Sequence, residues 1–339
     1  MSNWFDSYSS REGVVGTQPA QPGHVPDYIM NKPLELTVMM YHYIRDPGDE
    51  AEAGSGISGM PVGTFEAQLD ELAKHYTFVS WREVREALQG QSNLPDSPCL
   101  LTFDDGVSEH YLHAFRILQS RNLSGLFFIL DRSEAEGIVL GHKLHFLLAK
   151  LGIDSLRETL WKKLDPAQRA RFTQAEEKYQ SKYSSASPDG RINLFKAVLQ
   201  RDLSLEIDTT LSDLFEKHIG SEKEIARSFY LNHEQIREMA AGGMHFGGHS
   251  RSHPWFDWID ADARRAEIKA SADWIRQFEP EPWAFAYPYG GFSEDSPALL
   301  SQRGFIAAFT TQTQMHHTNP HFIGRLDGEE MALNGQSYA

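Results

Sequence analysis

Short apolar runs in this chain alternate with stretches of helical period, and that alternation limits the architectures open to it more than any other feature. Strands are expected at 34–41, 76–80, 98–103 and 124–130, with helices at 64–75, 81–89 and 108–120 between them. After a helix-like stretch at 233–241 the pattern resumes, with strands at 244–248, 283–287, 305–310 and 321–326 and helices at 260–277 and 296–302. Such alternation is the signature of parallel β/α units, and seven or eight strands suggest a barrel. The apolar runs are strand-sized, far short of the ~18 residues that a membrane helix needs.

Three segments depart from the pattern or frame it. Residues 1–33 are rich in Ser, Gly, Pro and Gln without periodicity and read as a mobile N-terminal tail. Residues 34–130 and 229–339 carry the barrel pattern, and 131–228 between them reads as an all-helical insertion, with Leu144, Leu147, Leu148 and Leu151 at helical spacing. The insertion holds 16 acidic and 16 basic residues, so the excess of 47 acidic over 32 basic side chains, a net charge of −15, sits on the rest of the chain. That balance argues against a nucleic-acid partner. The insertion is expected to serve as a lid or collar over the barrel rim, or as an element of a homo-oligomer. Cys99 is the only cysteine, which excludes an internal disulfide and a Cys-based zinc cluster, so a metal would need His and carboxylate ligands. The first residues lack a basic start followed by an apolar segment, which leads to the expectation of a cytoplasmic protein.

Chemistry-bearing residues fall at strand ends, where the loops of a parallel β/α fold converge on one face. Thr102-Phe103-Asp104-Asp105-Gly106 closes one strand. Two adjacent carboxylates raise each other's pKa in a partly buried spot unless a cation lies close; the plain alternative is a solvated turn with Asp105 capping the next helix. His249-Ser250-Arg251-Ser252-His253 follows another strand, and its one-turn spacing lets both imidazoles face one ion. No carboxylate lies between these histidines, so a base must come from elsewhere, and Asp104 is available. Phe285-Ala286-Tyr287-Pro288-Tyr289-Gly290 ends a third strand with a tight turn whose amides could face an oxyanion, and Tyr41-His42 closes the first strand with an ionisable group. Each of these also reads as an ordinary strand-end turn or a structural His when taken singly.

In this order the Asp-Asp-Gly, His-x-x-x-His and Tyr-Pro-Tyr-Gly motifs resemble those of the polysaccharide deacetylases, the NodB-homology domain of carbohydrate esterase family four, and look closest to its biofilm-polysaccharide branch. The resemblance covers 34–130 and 229–327. It implies a distorted (β/α) barrel of about seven strands with a large helical insertion. It also implies one divalent metal, usually zinc, on Asp105, His249 and His253, with Asp104 as base and His42 as acid. The backbone N–H of Tyr289 matches the second oxyanion donor. The sequence departs from the family at Ala286, where an Arg that orients the catalytic Asp is common, and Arg325 is the proposed replacement. His316, His317 and His321 are second choices for the acid. The expected function is removal of an acyl group, acetyl first, from an N-acylated amino sugar in a polysaccharide or glycan precursor. The alternatives are deformylation of a lipid-linked amino sugar and a non-catalytic carbohydrate-binding module on the same barrel.

Overall fold

The computed structural model describes residues 34–46, 54, 56–131, 137–183, 188–313 and 319–331. The segment read as a tail, 1–33, lies outside these, as do His316 and His317. Strand β1 (Thr37–Tyr41) runs parallel to β3 (Pro98–Phe103), from Thr37 opposite Cys99 to Tyr41 opposite Phe103. Every residue of both is buried, which is why they read as continuous apolar runs. The other edge of β3 is shared. β2 (Thr77–Val79) pairs with its first half, Pro98 to Leu100, and β4 (Leu126–Ile129) pairs with Thr102 and Phe103. The sheet continues through β5 (His245–Gly248), β6 (Trp283–Ala286) and β7 (Phe305–Phe309), all parallel.

Closure comes from one segment that has two neighbours. Ile323 N donates to Ala308 O at 2.9 Å, and Arg325 N donates to Gln312 O at 2.8 Å. Directly after Arg325, β8 (Leu326–Asp327) pairs with the free edge of β1. The chain around Arg325 therefore joins the two outer strands and curls the α/β sheet into a distorted barrel. Expected as a strand over 321–326, this segment is instead divided between β7 and β1.

The strand faces sort into two apolar layers. Val38, Leu100, Phe128, Ala286 and Phe309 meet inside with Trp81 and Val84 of α2 (Trp81–Leu88). Met39, Leu101, Phe127 and Phe285 pack outward against α1 (Val62–Leu72), α9 (His233–Ala241), α10 (Ala261–Ile275) and α11 (Ser296–Ser301). Local signals set the helix starts: Ser80 with Glu83 and Asn232 with Gln235 form capping boxes, and Asp260 caps α10. The helix expected at 108–120 is α3 (Arg116–Ser120) preceded by a π-type turn, His110–Phe115. In that turn His110 lies within hydrogen-bond reach of the backbone oxygen of His42, its Nε2 2.8 Å away.

Between β4 and β5 the described chain is helical: α4 (Leu140–Lys163, interrupted at Gly152), α5 (Pro166–Gln180), α6 (Pro188–Ala197), α7 (Ser204–His218) and α8 (Glu222–Phe229). These helices have an apolar cluster of their own, with Leu144, Leu147, Leu160, Phe172 and Leu211 at its centre. They join the barrel through a second cluster in which Phe146, Phe215 and Phe229 meet Tyr43, Val107 and Leu130. Among the described residues no helix is long and apolar enough to cross a membrane.

Candidate active site

Asp104 and Asp105 follow β3, His249 follows β5, Tyr289 sits in the turn after β6, His42 follows β1, and Arg325 enters just before β8. Parallel strands bring these positions to one rim. The backbone there is held in unusual conformations. Six described residues other than glycine have φ in the left-handed region, and four of them are Asp105 (77°), Ser250 (65°), His253 (57°) and Tyr289 (56°). Each costs about 1–3 kcal/mol, and such residues gather where a site over-determines its geometry.

Asp105 Oδ1 lies 3.3 Å from His249 Nε2 and 3.3 Å from His253 Nε2, and the two nitrogens are 3.2 Å apart. Tetrahedral bonds of about 2.0–2.1 Å place ligand atoms roughly 3.3 Å from one another, so this triangle has the dimensions of three ligands on one ion. Three observations support that fit. Asp105 Oδ1 is buried and has no hydrogen-bond partner. His249 Nδ1 is 2.8 Å from Ala286 O, so it carries the proton and leaves the Nε2 lone pair aimed into the triangle. Burial pushes His253 down to about 4, which keeps its imidazole neutral and able to ligate. Burial opposes charge on His249 as well, yet Asp105 and Asp104 raise its pKa, so the pocket favours positive charge. Burial likewise works against ionised Asp105, but His142, His249 and His253 hold its carboxyl well below the usual range.

Asp104 is 2 % exposed and gripped by the fully buried Arg325 guanidinium, with Nη1 and Nη2 donating to Oδ1 and Oδ2 at 2.6 Å each. Arg325 Nε donates to Thr310 O at 3.0 Å, which fixes the fork. Ala286 belongs to the same inner layer of the barrel, so its small side chain lies on the face that Arg325 reaches from the closing segment. Burial would raise the Asp104 pKa, but Arg325, with His249 and His42, lowers it below the ordinary value.

His42 Nε2 is 3.9 Å from Asp104 Oδ2, beyond hydrogen-bond length, and its side chain is 36 % exposed, the open edge of the site. The Tyr289 N–H has no acceptor among the described residues, and the Tyr289 ring lies between the rings of His253 (centroids 4.4 Å apart) and Trp255 (4.6 Å). His321 is elsewhere. Its ring is buried, with Nε2 3.2 Å from Phe305 O at the start of β7, the opposite end of the strand from the rim.

Several site residues carried no signal in the sequence. His142, in the first turn of α4, brings Nε2 to 3.1 Å from Asp105 Oδ2. Glu267 of α10 accepts from the N–H groups of Arg251 and Ser252 at 2.7 and 2.9 Å, pinning the loop that runs from His249 to His253. Glu109 accepts from Ile44 N at 2.7 Å and pairs with Arg45 in the buried floor behind His42. Tyr-His and His-x-x-x-His are local patterns. A lone His, Glu or Tyr within an amphipathic stretch is not distinguishable from any other.

Residues 214–308 match the family model described as polysaccharide deacetylase. That segment, less than a third of the chain, is what likens this protein to the polysaccharide deacetylases. The matched segment includes His249, His253 and Tyr289, while Asp104, Asp105 and Arg325 lie outside it. The chain is 29 % identical over 116 residues to YxkH of Bacillus subtilis (strain 168), a protein named for polysaccharide deacetylation; the match covers 34 % of this chain and 36 % of YxkH, about a third of each. Among solved structures the fold is similar to that of the Streptococcus pyogenes deacetylase PplD, determined in complex with acetate (TM-score 0.52, 17 % identity, 87 % of this chain and 93 % of that one). It is also similar to a de-N-acetylase from Aggregatibacter actinomycetemcomitans (TM-score 0.51, 16 % identity, 89 % and 97 %). At these identities the structural likeness speaks to the fold.

Proposed function

We propose that this protein is a metal-dependent hydrolase that removes an acyl group, acetyl by preference, from an N-acylated amino sugar of a polysaccharide or glycan precursor. The observation that carries the reading is the triangle of Asp105 Oδ1, His249 Nε2 and His253 Nε2 beside an Arg-held Asp104. A divalent ion held by those three atoms, zinc in this reading, supplies Lewis-acid polarisation of the amide carbonyl and acidifies the attacking water.

The side chains around it divide the remaining work. Asp104, ionised and fixed by Arg325, accepts the proton of the attacking water. Each of its oxygens already receives one guanidinium N–H and keeps a second lone pair for that proton. The Tyr289 N–H donates to the oxygen on which charge develops. His42, at the open edge, gives a proton to the departing amine, without which an amide anion would have to leave at neutral pH.

The test is elemental analysis together with acyl release. About one zinc per chain is expected, as is acetate release from a panel of N-acetylated amino sugars, with both lost in the His249→Ala, His253→Ala double variant. Full metal occupancy in that variant, or no acyl release from any sugar by metal-loaded protein, overturns the reading. Formate in place of acetate would redirect it to deformylation.

A further inference from the structure

The carboxylate that completes the ligand triangle has a second oxygen, and the helical segment between β4 and β5 holds it. His142 Nε2 lies 3.1 Å from Asp105 Oδ2, and its Nδ1 lies 2.7 Å from the Tyr230 hydroxyl. That hydroxyl also accepts from Val139 N at 3.2 Å. All three side chains are buried, at 2 %, 6 % and 7 % exposure for His142, Asp105 and Tyr230.

The carboxylate fixes the protons. The Asp105 carboxylate can only accept, so His142 carries its proton on Nε2 and donates to Asp105, and Nδ1 accepts from the Tyr230 hydroxyl. The reverse tautomer would set a lone pair against a carboxylate. Tyr230 is itself placed by backbone pairing with the Asp105 loop: Val107 bridges Tyr230, Ser108 N donates to Phe229 O at 2.7 Å, and Leu231 N donates to Gly106 O at 2.9 Å. The His142 ring cannot swing away, because the Phe229 ring meets it edge-on at 5.2 Å and Tyr43 closes another side.

We propose that His142, oriented by Tyr230, is a positioning residue that ties down Asp105 Oδ2 so that Oδ1 alone turns toward His249 and His253. The helical segment is thereby part of the metal site. This rests on the metal reading above. Groups that orient metal ligands typically contribute 10–100-fold in metal affinity.

The experiment measures zinc affinity by chelator competition on the full chain, alongside thermal melts. His142→Ala is expected to weaken zinc binding by about 10–100-fold. His142→Gln should recover most of that loss, since its amide nitrogen reaches the place of Nε2 and can still donate. Tyr230→Phe should cost less than His142→Ala, because the donor remains and only its orientation is loosened. If His142→Ala fails to fold, the last two variants carry the test. Parent-like affinity in His142→Ala, or in Tyr230→Phe when His142→Ala does not fold, leaves Asp105 needing no such support and overturns the proposal. Loss of a nitrogen donor from the Co(II) spectrum of His142→Gln overturns it as well, by making His142 a ligand. A parent protein that binds no metal fails the earlier reading instead, so the two failures are distinct.

Discussion

Asp105 is held from two directions, and the two halves of the molecule do it differently. On the barrel side, His249 and His253 approach Oδ1 from the end of a strand. On the helical side, His142 approaches Oδ2 from the first turn of α4. A strand end has an address: parallel pairing carries it to the rim whatever the rest of the chain does. The first turn of a helix in a long crossover has none, and His142 arrives only because Phe146, Phe215 and Phe229 seat the helices against Tyr43, Val107 and Leu130. In the proposed function the barrel side offers the groups that act on substrate, whereas the helical side offers support to one of them. Rim substitutions should therefore act on the chemical step itself, and helical ones should act through metal affinity.

The largest expected effect is at Asp104. Asp104→Asn keeps the shape but accepts no proton, so turnover should fall by about 10²–10⁴-fold with zinc content unchanged. Asn retains a single acceptor for the two Arg325 bonds, so a thermal melt belongs with the rate measurement. A loss no larger than that of His142→Ala would erase the distinction between the two sides.

A narrower effect is expected at His42, which is more exposed than the other rim groups and 3.9 Å from Asp104. His42→Ala should slow amide substrates by about 10²-fold and leave esters with good leaving groups nearly untouched, because only the poor leaving group needs a proton. The measurement is the ratio of amide to activated-ester hydrolysis at matched zinc occupancy. Equal slowing of both would make His42 a structural part of the rim.

The same contrast explains what could be read from the sequence. The strands and most helices were legible because apolar period and capping residues are local properties, as at Pro98–Phe103 and His233–Ala241, where expected and observed limits coincide. Asp104, Asp105, His249 and His253 were legible because their motifs sit at strand ends. Arg325 was legible only indirectly, through Ala286, since nothing local distinguishes a guanidinium that travels to another strand's carboxylate. His142 shares a stretch with Leu144 and Leu147, whose periodicity describes the core of the helical segment and conceals a polar residue facing the barrel. Glu267, in the middle of α10, is equally silent. The π-type turn at His110–Phe115 was missed because its side-chain pattern matches that of an α-helix.

The smallest expected effect measures how tightly the two sides are seated. Gly141 precedes His142 in the first turn of α4, and a Cβ placed on it would lie 2.5 Å from the Tyr289 hydroxyl, with the ring carbon behind that hydroxyl at 3.6 Å. In a helix without neighbours Gly→Ala stabilises by roughly 1 kcal/mol. Here the methyl must displace a hydroxyl whose ring stacks on Trp255 at 4.6 Å, and crowding of that kind costs about 1–3 kcal/mol. Gly141→Ala should therefore lower stability by up to about 2 kcal/mol instead of raising it. Tyr289→Phe removes the clashing oxygen and leaves a 3.6 Å contact of ordinary length, while the Tyr289 backbone N–H is untouched. In the double variant the helix preference should reappear, giving a favourable coupling of about 1–3 kcal/mol in a denaturant-based double-mutant cycle. A coupling of zero would mean that α4 can move off the rim at little cost. The close approach of α4 that brings His142 to Asp105 would then be loose as well, and the helical side could not hold the carboxylate in the way its distances imply.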